Sequence, residues 1–145
     1  MVVELDKKIE TIDYPQALRP YDFLIILSSE SAASVNPDYI KKGEGTGFLI
    51  WDPSTIEKFR AANRIQKALS IPVQKIAVEK FGNIVFGNSI LFGAFTLLSG
   101  IFSEESAIET LKKFVPSSTL DKNLEAFELG KKEAQDFIKN LKEDD

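Results

Sequence analysis

A layered α/β/α domain, with a mostly parallel sheet and a helical carboxy-terminal half, is the fold class this sequence predicts on three observations. Asp22–Ser28 (DFLIILS) and Phe48–Trp51 (FLIW) are continuous apolar runs between polar ends, which is how strands buried on both faces of a sheet read. A partly helical connection joins them, and two such strands form a βαβ unit with a right-handed crossover. Downstream, Ile84–Phe102 (IVFGNSILFGAFTLLSGIF) is apolar on every side, and a helix without a polar face has to be enclosed by the rest of the fold.

Taken in order, Val2–Leu5 and Ile9–Ile12 are short, partly alternating segments that predict edge strands separated by an Asp6-Lys7-Lys8 turn. Pro15 and Pro20 bracket a brief connection, because the residue before each is pushed out of the helical region. After the first buried strand, Ser28-Ser29-Glu30-Ser31 is expected to cap a helical segment through Ala32 and Ala33, and Asn36-Pro37 opens a second turn toward Lys42. Beyond Pro53 the pattern is ambiguous. Ile56, Phe59, Ala62 or Asn63, and Ile65 lie at helical spacing that propensity would extend to Leu69, whereas Ala68–Ile71 before a proline also suits a strand. Pro72 fits the first position of a helix that runs to Phe81, with Gly82 as its stop.

In the central window Asn88 is expected to be the N-cap, accepting from backbone N–H groups in the first turn, and Gly100 the left-handed residue that ends the helix. Gly93, in mid-helix, costs about 1 kcal/mol in propensity, so a close-packed neighbour is the expected reason for it. A membrane span is disfavoured, because Gly87-Asn88-Ser89 cut the run and Ile90–Leu98 is far shorter than the ~20 apolar residues a span needs. Ser103 is expected to cap a further helix, with Glu104 and Glu105 at the positive end of its dipole and Ala107, Ile108, Leu111, Phe114 and Val115 as its buried face. A last helix, from near Ser118–Asp121, carries Leu124, Phe127, Ala134, Ile138 and Leu141 on one stripe, before a solvated tail over 142–145. One domain over residues 1–145 is the default for this length.

The composition excludes more than it indicates. With 18 basic against 22 acidic residues and no long basic run, the chain is not expected to bind nucleic acid. It has no cysteine and no histidine, which removes thiolate ligation of iron–sulfur clusters, ordinary zinc sites, Ser-His-Asp and Cys-His pairs, and imidazole acid–base catalysis. No metal site and no catalytic residue is expected. The amino terminus MVVELDKK has no signal-peptide apolar region, so a cytoplasmic location is expected.

Gly43-Glu44-Gly45-Thr46-Gly47 looks like a phosphate cradle but follows a helix and opens a strand, the reverse of what a cradle requires, and reads as a flexible turn. Ser28, Ser29 and Ser31 are better placed, at the carboxyl end of a buried strand where α/β proteins put ligands, and are the weak candidate anion site; helix capping explains them without a ligand. Asp52 is at the same edge and suits turn and cap duty with Pro53. Trp51 reads as packing rather than a stacking platform.

Several stretches together resemble the γ subunit, or γ domain, of 2-oxoacid:ferredoxin oxidoreductases. They are Ile12-Asp13-Tyr14-Pro15 with the strand Asp22–Leu27 and Ser28; Ile71-Pro72 with its helix; Gly82-Asn83; Asn88–Phe95 (NSILFGAF), including Gly93; Leu98-Ser99-Gly100; and Leu120–Gly130 (LDKNLEAFELG), including Asn123. Members of that family belong to assemblies that oxidatively decarboxylate pyruvate or a related 2-oxoacid to an acyl-CoA and pass electrons to ferredoxin. The resemblance implies that thiamine diphosphate, the iron–sulfur clusters and coenzyme A are handled by partner subunits, and that this chain is a non-catalytic component packed against them. The alternative is a stand-alone interaction or small-ligand-binding α/β module of the same descent. The resemblance also favours the strand over the helix at Ala68–Ile71. The family opens with a strand and a GxGGQG turn into a helix, which has no counterpart here. The sheet is therefore expected to lack a strand and its covering helix, and to present an apolar edge or face to a partner. For the isolated chain the expectation is a homo-oligomer.

Overall fold

The computed structural model describes residues 19–43 and 47–143. The expected strands at Val2–Leu5 and Ile9–Ile12, and the Ile12–Pro15 motif, lie outside the described residues. Phe23–Ile26 (β1), Phe48–Trp51 (β2) and Ala68–Ser70 (β3) form a parallel three-stranded sheet in the order β1-β2-β3, with Phe23 opposite Phe48 and Leu49 opposite Ala68. The strand reading of Ala68–Ile71 holds. The helical spacing of Ile56 and Phe59 instead serves a loop with a short 3₁₀ turn at Ala62–Arg64, whose apolar residues are buried under the sheet.

Alternation sorts the strand residues onto two faces. Phe48, Ile50 and Leu69 face a cluster built on Val73–Phe81 (α2), Gly87–Ser99 (α3) and Leu120–Glu143 (α5). Ile26 and Leu49 face the other way, onto Ala32 of Ser29–Ala33 (α1), Ile56, Phe59 and Ala62. β2 is buried on both faces as predicted, whereas β1 is not: it borders the sheet, and Ile25 is 39 % exposed.

The caps are those the sequence predicts, with two corrections. Ser28 caps α1 through Ser31 N–H, Asn36 caps the 3₁₀ turn Pro37–Tyr39, and Ser103 caps Glu104–Phe114 (α4) through Ser106 N–H. Gly82 and Gly100 take left-handed conformations at φ 79° and 59° and end α2 and α3. Pro72 precedes the first helical residue of α2 instead of occupying it. Asn88 is not an N-cap. A 3₁₀ turn at Ile84–Phe86 leads directly into α3, so the capping role falls five residues earlier to Asn83, whose side chain accepts from Val85 N–H, and Asn88 lies exposed in the first turn. No described helix is long and apolar enough to cross a membrane. α5 continues through Lys142 to Glu143, into the segment expected as a tail.

Candidate functional site

Three places in the fold could carry a function: the carboxyl edge of the sheet, the crossing of α3 with α5, and the groove beside α4. At the carboxyl edge the structure does bring Ser28, Ser29 and Ser31 together, all exposed, with Asp52 behind them. Their hydroxyls are engaged locally. Ser28 Oγ donates to Ser31 Oγ at 3.0 Å and accepts from Ser31 N–H, while Ser29 Oγ donates to the Thr55 carbonyl at 2.7 Å. Thr55 Oγ1 in turn donates to the Leu27 carbonyl at 2.9 Å. α1, which follows, has only five residues.

Asp52 is fully buried, and its role is larger than the expected turn with Pro53. Oδ1 accepts from Ser54 N–H at 2.8 Å and from the Ser54 hydroxyl, and Oδ2 accepts from Gln74 N–H at 2.9 Å. From just past the end of β2, the carboxylate therefore supplies the cap that Pro72 cannot give α2. Its lone pairs are spent on structure, and only a long-range contact reveals this. Trp51 packs edge-on against Phe59, as expected of a packing residue.

The α3–α5 crossing answers the question Gly93 poses. A Cβ on Gly93 would drive into the Phe127 carbonyl, 2.8 Å from its carbon and 3.1 Å from Lys131 N; one on Gly130 would meet the Ile90 carbonyl, 2.7 Å from its carbon and 3.0 Å from Ala94 N. Each glycine lets the other helix's backbone approach, so the two positions are halves of one contact. Asn123, one turn before Phe127, is buried beside it. Its Oδ1 accepts from the Ser89 hydroxyl at 2.6 Å, and its Nδ2 donates to the Thr119 carbonyl at 2.9 Å. No buried side-chain nitrogen or oxygen among the described residues lacks a partner.

Lys131, also on α5, is clasped by Glu104 of α4 and by Glu128, 3.1 Å away. Burial alone would lower the pKa of its ammonium, but the hydrogen bonds to Glu104 and Glu128 and the charges of both outweigh that and leave it above the usual lysine value.

A groove of about 320 Å³ opens between α3, α4 and α5, lined by Val85, Asn88, Phe92, Leu111, Phe114 and Asn123 among others. Phe114, expected on the buried face of α4, is 74 % exposed at its rim, and Val85 is 61 % exposed. The buried stripe of α4 centres on Ala107 and Leu111, followed by half-buried Val115 at the cap, and packs on Phe127 and Leu124; Phe114 falls at the edge of that stripe and overhangs the groove.

Comparison with known proteins gives these places a context. A family model described as pyruvate ferredoxin/flavodoxin oxidoreductase matches residues 2–133. The chain is 35 % identical over 125 residues to the 2-oxoglutarate synthase subunit KorC of Methanothermobacter thermautotrophicus, covering 83 % of this chain and 63 % of that protein. To KorC of Methanocaldococcus jannaschii it is 31 % identical over 128 residues, covering 88 % and 66 %. A shorter match, 40 % over 73 residues, joins it to the indolepyruvate oxidoreductase subunit IorB of Thermococcus kodakarensis, covering 50 % and 36 %. The chain thus spans less than two thirds of the length of these curated relatives. Among solved structures, the γ subunit of a keto/oxoacid ferredoxin oxidoreductase from Geobacter sulfurreducens has the same fold, with a TM-score of 0.64 at 24 % identity over 79 % of this chain and 64 % of that one.

Proposed function

The chain belongs to the pyruvate ferredoxin/flavodoxin oxidoreductase family, and from that premise we propose that it is a non-catalytic, γ-type component of a cytoplasmic 2-oxoacid:ferredoxin oxidoreductase, acting by packing against the chains that carry the chemistry. The observation that carries this reading is the pairing of a family match across residues 2–133 with a chain that has no cysteine and no histidine. The family's redox chemistry needs iron–sulfur clusters, and thiolates are their ordinary ligands; the residues here do not fit such a group. Nor do the described residues hold any cluster of three or more His, Cys, Asp or Glu side chains set to bind a metal. In this reading thiamine diphosphate, the clusters and coenzyme A belong to partner chains.

The exposed Phe114 and Val85 support a packing role, since a side chain of that size left in water at the rim of a groove is a ready contact for another surface. The KorC relatives favour 2-oxoglutarate over pyruvate as the 2-oxoacid. The test is to purify the tagged chain from its own cells without oxygen. It should emerge in fixed ratio with chains that hold thiamine diphosphate and iron–sulfur clusters, in a complex that reduces ferredoxin when given coenzyme A and 2-oxoglutarate, and more slowly with pyruvate or indolepyruvate. Deleting the gene without loss of 2-oxoacid-dependent ferredoxin reduction would sink the proposal.

A further inference from the structure

We propose that α4 is a hinged flap, latched at its amino-terminal end by Glu104 and Lys131, which lifts off α5 without unfolding the rest of the chain. Its seat is thin. Of its eleven residues only Ala107 and Leu111 are buried, and with Phe127 they form a small cluster separate from the main core. α2 is two residues shorter, yet it buries Val73, Ala77 and Phe81 inside that core. Lifting α4 therefore draws one leucine and one alanine from their places and leaves the cluster of α2, α3 and α5 closed.

The polar contacts agree. Ser103, Ser106 and Thr110 bond among themselves and to local backbone, and Lys113 lies over the ring of Phe114, its own neighbour. Among the described residues the one side-chain hydrogen bond from α4 to another element is Glu104 to Lys131. Lys131 also holds Glu128, 3.1 Å away on its own helix, so the latch opens without leaving the ammonium unpaired. The connections permit the swing. α3 ends at Gly100, left-handed and with open space where a Cβ would stand, and Pro116 separates α4 from the 3₁₀ turn at Ser117–Thr119. Beside the far half of α4 the groove of about 320 Å³ is already open, and lifting the helix joins it to Phe92 and Phe127 in one apolar trough. The flap belongs to the chain by itself and holds whichever partners it meets.

A helix of eleven residues is too short to persist in water once it leaves its seat, so opening exposes its amides as well as its buried side chains. In the wild-type chain the amides of Ile108–Phe114 should exchange together, about tenfold or more faster than the slowest of Ile90–Leu98 once intrinsic rates are removed. The chain has no cysteine, so single thiols report the same opening. Ala107→Cys should react with a maleimide about tenfold or more faster than Ala77→Cys, whose site lies in the main core. Glu104→Gln should speed exchange in α4 about threefold. Asp52→Asn, which loosens the sheet half, should speed the α3 amides and leave those of α4 unchanged. Amides of α4 that exchange as slowly as those of α3, and follow them in Asp52→Asn, overturn the proposal. So do equal labelling of the two folded cysteine variants and a Glu104→Gln chain whose α4 rates do not move; the amides of the unaltered chain decide the matter if a cysteine variant fails to fold.

Discussion

The sheet-bearing half and the helical half of this molecule hold themselves together by different means. In the sheet half, strands of three or four residues are joined by irregular segments, and those segments are tied down by side chains reaching distant backbone: Asp52 to Gln74, Ser29 to Thr55, Thr55 to Leu27. In the helical half, α3 and α5 approach so closely that backbone meets backbone at Gly93 and Gly130, and the polar groups between them are few and mutually satisfied. The first half depends on individual hydrogen bonds, each replaceable at moderate cost. The second depends on two positions where nothing larger than hydrogen fits.

That contrast orders the expected effects of substitution. Gly93→Ala and Gly130→Ala should be the most damaging of these changes, about 3 kcal/mol or more each, because the added Cβ meets immobile backbone and the gain in helix propensity of roughly 1 kcal/mol cannot offset the overlap. Urea denaturation measures this, and a midpoint equal to that of the wild type would break the comparison at its strongest point. Asp52→Ala should come next, at about 2–3 kcal/mol, since it strands the Gln74 and Ser54 donors where water is excluded. Asp52→Asn, which keeps an acceptor, should recover part of that loss in the same melts.

Asn83→Ala should cost about 1 kcal/mol by loss of the cap on the turn that leads into α3. Asn88→Ala should stay within about 0.5 kcal/mol, as an exposed first-turn residue does. Equal midpoints for the two variants would put the start of α3 back at Asn88. A modest effect is also expected at Lys131→Met, about 0.5–1 kcal/mol at neutral pH, because the ion pairs it removes have partly exposed carboxylates. Its pH dependence has a definite sign. The folded pKa is raised above 10.5, so the contribution of Lys131 is fully present below that value and is lost as pH rises through the higher folded pKa. The gap between wild type and Lys131→Met should therefore be constant from neutrality to about pH 10 and narrow above it; a gap that closed below pH 9 would contradict the clasp.

What could be read from the sequence follows the same division. α3 was legible because its signals are local: an apolar stretch with no polar face, a glycine that propensity would reject, a second glycine to end it. The capping serines and Asn36 were legible for the same reason. Asn88 misled because a 3₁₀ turn adds one more turn upstream, and an asparagine that suits a cap says nothing of whether helical structure already precedes it. Phe114 misled because periodicity places a residue on a face but does not say where the neighbouring helix stops. Asp52 reads locally as a turn residue, and its bond to Gln74 is invisible in sequence, because nothing in Asp52-Pro53-Ser54 points to an amide 22 residues on. The strand at Ala68–Ser70, ambiguous by pattern, came from resemblance.

The reciprocal glycines also bear on how this surface between α3 and α5 can drift over time. Where two side chains touch, a larger one can be accommodated by trimming its neighbour, and the pair can wander together through sequence space. Here each missing Cβ faces a carbonyl and an amide of the opposite helix, Phe127 and Lys131 on one side, Ile90 and Ala94 on the other. No second substitution can shorten a peptide group. A library randomised at both 93 and 130 should return glycine at each independently, with no rescuing combination, making this crossing a rigid landmark in an otherwise adaptable chain.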